Sequence, residues 1–497
     1  MGFKADTSFL RFLTMGAKGV HQTMVQLRKQ GFSPIELERY CGSNKIWSTK
    51  VKRLRLPDLL CVKTGLRVEV RAKTALAIKM SDAPDNPDRT WDAGLQDDDL
   101  AAFIACNDYG DGPVPAQEAM FVRVGDMRAA VQQSKLGAPK SASEGAERDR
   151  EWPSTVPKRS GEVIEVTDTK LVVRQFATEH KPERRQTYQL KGRKPYVNVG
   201  DHFTAGSSFL AGTPQRLAQL NEFLDLTYDP FEALTSLNQV DRYSAVKSFP
   251  YRSDDVTKVI AALEKLISTE QEERIKLEAA GSATHFDSSL GQDIISGIIW
   301  GDETSSDMRM EAILILSELG ESEFTRDLLK SVAASERFQG SELRQAAIWG
   351  LGKAGFRNYA SILPYIADKE ENVALHAIAA FDRLTPGAVI DQLVAHLTSA
   401  DEKLAPAASE TLRIIGSPLV VQGLIQAYDI SPQARNWIVA TLGRMQPTLV
   451  REQIGEHALL SLLEPMFLCA PGSHWLSSQN IVSDISFLLN QGVSGPE

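Results

Sequence analysis

The sequence predicts a multidomain protein, α/β at its N-terminal end and all-α at its C-terminal end, with a small β-barrel between. Three observations carry this expectation: apolar strands broken by turn signals in residues 1–135, short alternating segments in residues 158–215, and an apolar helical segment that recurs after Asp307. The chain has 497 residues, 42% of them hydrophobic, which is enough for several cores at roughly 100–200 residues per domain.

Charge is divided unevenly among these parts. Residues 1–80 carry a net +11, residues 81–221 a net −3 and residues 222–497 a net −17. A polyphosphate partner is therefore expected at the basic head, and the acidic tail is not expected to wrap nucleic acid. No run of about 18 apolar residues is present, so no membrane span or membrane partner is expected. The N-terminus has no apolar signal region, and Asp6 stands where N-myristoylation requires Ser or Thr, so the expected location is cytoplasmic. Cys41, Cys61, Cys106 and Cys469 form no Cys-x-x-Cys pair, which argues against a disulfide framework or a structural zinc site.

In the head, Lys50 to Val62 and Leu66 to Lys73 are apolar segments flanking Thr64-Gly65, the pattern of a hairpin. Asp58 opens the first segment and Glu69 lies in the second, so the turn can bring both carboxylates to one end of a sheet. Alternation along the second strand puts Glu69, Arg71 and Lys73 on one face and Val68, Val70 and Ala72 on the other. Two carboxylates can hold Mg²⁺ (or Mn²⁺), which polarises a phosphodiester, while a neighbouring cation stabilises the developing charge. Taken singly, Asp58 reads as a turn residue and Glu69 as a partner of Arg67 or Arg71 on a solvated face. Their spacing, apolar flanks and basic surround together favour the metal site. Lys50, Lys52, Arg53 and Arg55 precede Asp58 and can track phosphates towards it; the competing reading is an edge strand protected by charge. Asp97, Asp98 and Asp99 are consecutive, so they read as capping or solvated acids.

Pro57-Asp58 followed by Val68-Glu69-Val70-Arg71 resembles the PD-(D/E)XK, or restriction-endonuclease-like, nucleases over residues 20–130. The resemblance implies a mixed sheet with helices and a metal-dependent nuclease, with Asp58 and Glu69 as metal ligands. It also implies an attacking water assisted by a lysine two positions beyond the acid. Arg71 occupies that position and Lys73 stands two further along. Arginine stabilises charge but is no base at neutral pH, so either Lys73 substitutes or the metal alone activates the water. An acid from a preceding helix often completes the family's site. Ser33-Pro34-Ile35-Glu36-Leu37-Glu38 offers Glu38 as a third ligand, with Glu36 also readable as the acid of a capping box. Strands at 101–106 and 119–124 and a helix at 126–133 fit the same fold.

Residues 136–157, rich in Ser, Pro, Gly and charge, read as a linker. The segments 161–166, 170–176 and 186–190 alternate as antiparallel strands do, and Val197 to Gly206 resembles the strand-turn pattern of barrel-sandwich folds. Arg184, Arg185 and Arg193 make a basic hairpin, a second candidate phosphate contact.

Residues 216–497 read as helical. Segments ending at Leu319, Ala354, Leu384, Ile415 and Leu442 repeat with spacings of 35, 30, 31 and 27 residues, each paired with a second apolar helix such as 361–366 or 389–397. They resemble degenerate HEAT repeats over residues 260–455, which implies an α-solenoid that docks a protein partner or a second copy of the chain. The functional expectation is thus a Mg²⁺-dependent nuclease, on DNA ahead of RNA, with prokaryotic defence or DNA processing as the setting implied by analogy. The alternative is a non-catalytic nucleic-acid-binding scaffold with a nuclease-like head, which Arg71 favours.

Overall fold

The computed structural model describes residues 7–37, 54–108, 112–139, 147–320, 322–353, 357–399 and 401–468. Most of them fall in two compact units, one that takes Arg11–Tyr40 and Arg53–Ser282 and one that takes Ala283–Val493. The architecture is mixed α/β followed by a run of helices. Among the described residues no helix is long and apolar enough to cross a membrane.

From Arg11 on, α1 (Thr7–Lys29) belongs to the first unit. Leu13, Ala17, Val20, Met24 and Leu27 recur every three or four residues and form one buried stripe. A sheet follows in the order β1 (Pro34–Glu36), β2 (Leu59–Cys61), β3 (Arg67–Lys73) and β5 (Leu100–Asp108). β1, β2 and β3 run antiparallel, while β3 and β5 are parallel from Val68 against Leu100 to Lys73 against Ala105. β6 (Pro113–Pro115) and β7 (Met120–Arg123) both pair with β5. One sheet face packs Val68, Val70, Leu100, Ala102 and Ile104 against the stripe of α1. Gly19 allows this approach: a Cβ there would lie 2.5 Å from that of Ala72.

Three expectations are corrected in this unit. Ser33 to Glu36 does not start a helix: Pro34 to Glu36 pair with Cys61 to Leu59, because strand pairing across the sheet outweighs the local capping signal. The linker is not structureless. β9 (Arg148–Trp152) pairs with β4 (Ile78–Asp82) and with β8 (Lys135–Leu136). Trp152 anchors β9, fully buried, edge-on to Trp91 at 4.8 Å and donating from Nε1 to the Met127 carbonyl at 3.0 Å. The expected barrel is, among the described residues, two open sheets. One has the order β13 (Arg184–Gln189), β12 (Lys170–Gln175), β11 (Gly161–Val166), β15 (His202–Phe203). The other joins β10 (Ser154–Thr155), β16 (Ala211–Gly212) and β14 (Lys194–Pro195). The expected strands are present, but β11 pairs with β12 and β15 only, and β13 ends its sheet.

The expected helix after β7 is α2 (Val124–Ala129), followed by a 3-10 turn at Val131–Gln133. The unit ends with α3 (Pro230–Ala233), α4 (Gln239–Ser248), α5 (Val256–Thr269) and most of α6 (Glu273–His285). The compact unit thus reaches past residue 215, where the sequence places the start of the helical domain.

In the second unit, α7 (Ser289–Trp300) and α8 (Ser306–Leu316) lead into α9 (Glu323–Ala334), α10 (Glu342–Gly352), α11 (Tyr359–Ile362) and α12 (Glu371–Ala379). There follow α13 (Gly387–His396), α14 (Leu404–Ile415), α15 (Pro418–Ile430), α16 (Arg435–Leu442), α17 (Pro447–Ile454) and α18 (Leu459–Leu468). The recurring segments are α8, α10, α12, α14 and α16, each packed on the next; α13, α15 and α17 form the second row. α10 is buried on every side between α8, α9 and α12, which is why its sequence is rich in Ala and Gly.

Candidate functional site

The Thr64–Gly65 turn is built as the sequence predicts. The Cys61 carbonyl accepts from the Gly65 N–H at 2.8 Å, and Gly65 takes φ +73°, a conformation natural to glycine. The ring of Tyr228 lies against it, 2.9 Å from where a Cβ would be. Leu59 pairs with Val68, so Asp58, one residue earlier, stands across from Glu69, one residue later. Asp58 Oδ2 accepts the Val70 N–H at 2.6 Å. Both acids are drawn into the structure, Asp58 being 3% and Glu69 8% exposed. On the other side of Glu69, β5 presents Ala101.

Arg71 reaches back along the strand, its Nη2 lying 2.5 Å from Glu69 Oε1. Lys73, on the same face, takes a different partner: Nζ lies 3.5 Å from Asp149 Oδ1 on β9. At about 3.3 Å per residue, Lys73 starts roughly 13 Å along the strand from Glu69 and Arg71 roughly 7 Å. The group assembled is therefore Asp58, Glu69 and Arg71, with Lys73 held by a neighbouring strand.

The remaining candidates are dispersed. Glu38, Lys50, Lys52 and Arg53 lie outside the described residues. Arg55 is exposed and donates from Nε to the Asp88 carbonyl at 2.6 Å. Arg184 donates to Gln175 Oε1 at 2.8 Å, and Arg185 projects from the exposed face 3.9 Å from Glu165. Arg193 is a corner post: its guanidinium donates to the carbonyls of Leu190, Gln189 and Ser154 at 2.7, 2.5 and 3.4 Å. The three consecutive aspartates diverge. Asp97 pairs with Arg128, Asp98 with Arg123, and Asp99 turns inward to Arg67.

Sequence reasoning missed Asp149, which sits in the segment read as a linker. It also missed the role of Arg67, whose Nε lies 2.8 Å from Asp99 Oδ1 and whose Nη1 lies 2.7 Å from Asp241 Oδ1 on α4. Burial pushes the Asp99 carboxyl above its ordinary range in spite of Arg67. No local pattern announces a partner 174 residues away. A cleft of about 890 Å³ opens where β3 and β5 end, lined by Thr74, Asn107, Gln117, Lys158, Thr204 and Ser207 among others; Asp58, Glu69 and Arg71 do not line it.

No protein-family model matches the chain, and no curated protein matches it significantly. The chemistry available is therefore read from the residues alone. Asp58, just before β2, stands by register across from Glu69 on β3, and a guanidinium rests on Glu69. Such a set can hold a hard divalent cation and present a fixed positive charge beside it. Mg²⁺ commonly uses one or two carboxylates and completes its shell with water and substrate phosphate. Two protein ligands therefore suffice, although among the described residues no group of three or more His, Cys, Asp or Glu gathers to hold a metal.

Proposed function

We propose that the chain is a metal-dependent nuclease that hydrolyses phosphodiester bonds, with DNA as its substrate and an α-solenoid of HEAT-like repeats that engages a protein partner. The single observation that carries this reading is the register that sets Asp58 across from Glu69, with Arg71 on the same strand. A restriction-endonuclease-like fold for the head is supported by α1, the β1–β2–β3 meander and the parallel pairing of β3 with β5.

Asp58 and Glu69 would hold Mg²⁺ or Mn²⁺, which when bound supplies a polarised phosphodiester and a more acidic water. Val70 orients Asp58 through its N–H. Arg71 keeps its charge at every working pH, so its part is to stabilise negative charge on the phosphoryl oxygens. The Arg71–Glu69 pair also favours a second reading, a head that binds nucleic acid without cutting, because the guanidinium already neutralises one carboxylate.

Incubating pure protein with plasmid, single-stranded DNA and RNA, in Mg²⁺, Mn²⁺ or EDTA, separates the two. Cleavage in metal and not in EDTA is expected. Asp58→Ala and Glu69→Ala should each abolish it while retaining DNA binding. If both variants cut like the wild type, these acids are not the metal ligands. Retention of DNA without cutting in any metal establishes the second reading.

A further inference from the structure

A cavity of about 160 Å³ lies beside the Thr64–Gly65 turn, lined also by α4 and by Tyr228. Its wall contains Arg67 between two carboxylates. Asp99 takes the guanidinium at 2.8 and 3.2 Å, and Asp241 takes it at 2.7 Å. Asp241 also accepts from Gln96 Nε2 at 3.1 Å and Ser236 Oγ at 2.8 Å. With both acids ionised, one guanidinium leaves this wall a net negative charge, carried in part by the buried Asp99, where uncompensated charge is costly.

Two hydroxyls in the same wall make the observation independent of charge. Ser244 is 2% exposed, and its Oγ has no hydrogen-bond partner among the described residues. The buried hydroxyl of Tyr228 likewise has none. A buried hydroxyl left unsatisfied costs stability, and native structures fill such places with protein groups, water or ions.

We infer that this cavity is a binding site for a monovalent alkali cation, with Ser244 Oγ, Tyr228 Oη and the Asp241 carboxylate as its protein ligands. The cation supplies the missing positive charge and takes the hydroxyl lone pairs; an anion would add to the charge already in excess. A divalent cation would want several carboxylates converging on it, and among the described residues no three acids gather to hold a metal. At about 30 Å³ per water, the volume admits one ion with a few waters. The site does not depend on the nuclease reading, but it bears on it: the turn beside the ion joins the strand led by Asp58 to the strand of Glu69.

The test is thermal unfolding of the full chain in potassium or sodium chloride against choline chloride at equal ionic strength. An alkali cation should raise the melting temperature by about 3 °C over choline. Ser244→Ala and Tyr228→Phe each remove one hydroxyl and little volume. In choline they should be at least as stable as the wild type, and the alkali response should vanish. Asp241→Asn should also lose it. Equal melting in all three salts would mean that the cavity holds water alone, and a response that survives the hydroxyl variants would place the ion elsewhere; either outcome overturns the assignment.

Discussion

Arg71 and Lys73 sit two residues apart on one strand face, yet their surroundings give them different work. Arg71 rests on Glu69, whereas Lys73 is tied to Asp149. Removing the cation beside the acid should therefore hurt more than removing the one further along. Arg71→Ala is expected to lower metal-dependent turnover by roughly 10²-fold or more, the scale of losing one stabiliser of developing charge. Lys73→Ala should change it several-fold at most. Single-turnover cleavage rates for the two variants check the order, and the reverse order would return the lysine to the chemistry. Asp58→Ala should carry a separate structural cost of about 1–3 kcal/mol in urea unfolding, because the buried Val70 N–H loses its acceptor.

In the helical unit, His376 is fully buried on α12, edge-on to Trp349 at 5.5 Å. Burial lowers its pKa to about 3 from the ordinary 6.5. The unfolded chain takes up this proton near pH 6.5 and the folded chain only near pH 3. Between those values the unfolded state binds more protons, so stability falls as pH falls through that window. The loss from pH 7 to pH 5 is roughly 2 kcal/mol, at about 1.4 kcal/mol per pH unit below 6.5. His376→Leu should flatten this part of the pH profile, which urea unfolding at the two pH values measures.

Among the elements, Gly19 offers the sharpest reversal of ordinary helix behaviour. On a free helix face, replacing glycine with alanine gains about 1 kcal/mol. Here the added methyl would meet Ala72, so Gly19→Ala should instead destabilise by about 1–3 kcal/mol as α1 is forced from the sheet. A stabilised variant would show that the helix does not approach β3 this closely.

The same contrast between local and distant forces explains what could be read in advance. The β2–β3 hairpin, β11, β12 and the recurring helices were legible because each buries a regular apolar face. Ser33 to Glu36 misled because a capping box is a local signal and the strand's partner is not. Arg148 to Trp152 hid for another reason: the strand itself is charged on both faces. Glu151 pairs with Lys79 on one side and Arg150 with Asp82 on the other, so only Trp152 gives an apolar cue. Asp58 across from Glu69 was legible from the turn, whereas the diversion of Lys73 to Asp149 was not, because it depends on that hidden strand.

At the scale of the molecule, charge is divided along the chain: residues 1–282 carry +3 and residues 283–497 carry −12. A fragment of residues 1–282 should bind DNA at least as tightly as the full chain, since it sheds most of the negative surface. Salt-dependent binding of both forms checks this, and weaker binding by the fragment at every salt would make the helical unit a nucleic-acid grip. A cut at residue 221 should fare worse. It removes Phe223 from the core beneath the sheet, Asp241 from Arg67, and the Arg252 guanidinium from the Val62 carbonyl. Circular dichroism melts of fragments 1–221 and 1–282 should show the shorter one less cooperative and lower melting.

The reach from Arg67 to Asp241 also sets a schedule for synthesis. At about 5–20 residues per second, the ribosome needs roughly 10–35 s to travel between them. Once Asp99 has followed Arg67 by 32 residues, the nascent head can pair the two, while Asp241, the second partner of the guanidinium, is still to be made. The β2–β3 hairpin is then open where Tyr228 will later press on Gly65. A chaperone that recognises unfinished sheets would find its window there, and codon changes that slow translation between residues 100 and 240 would lengthen it.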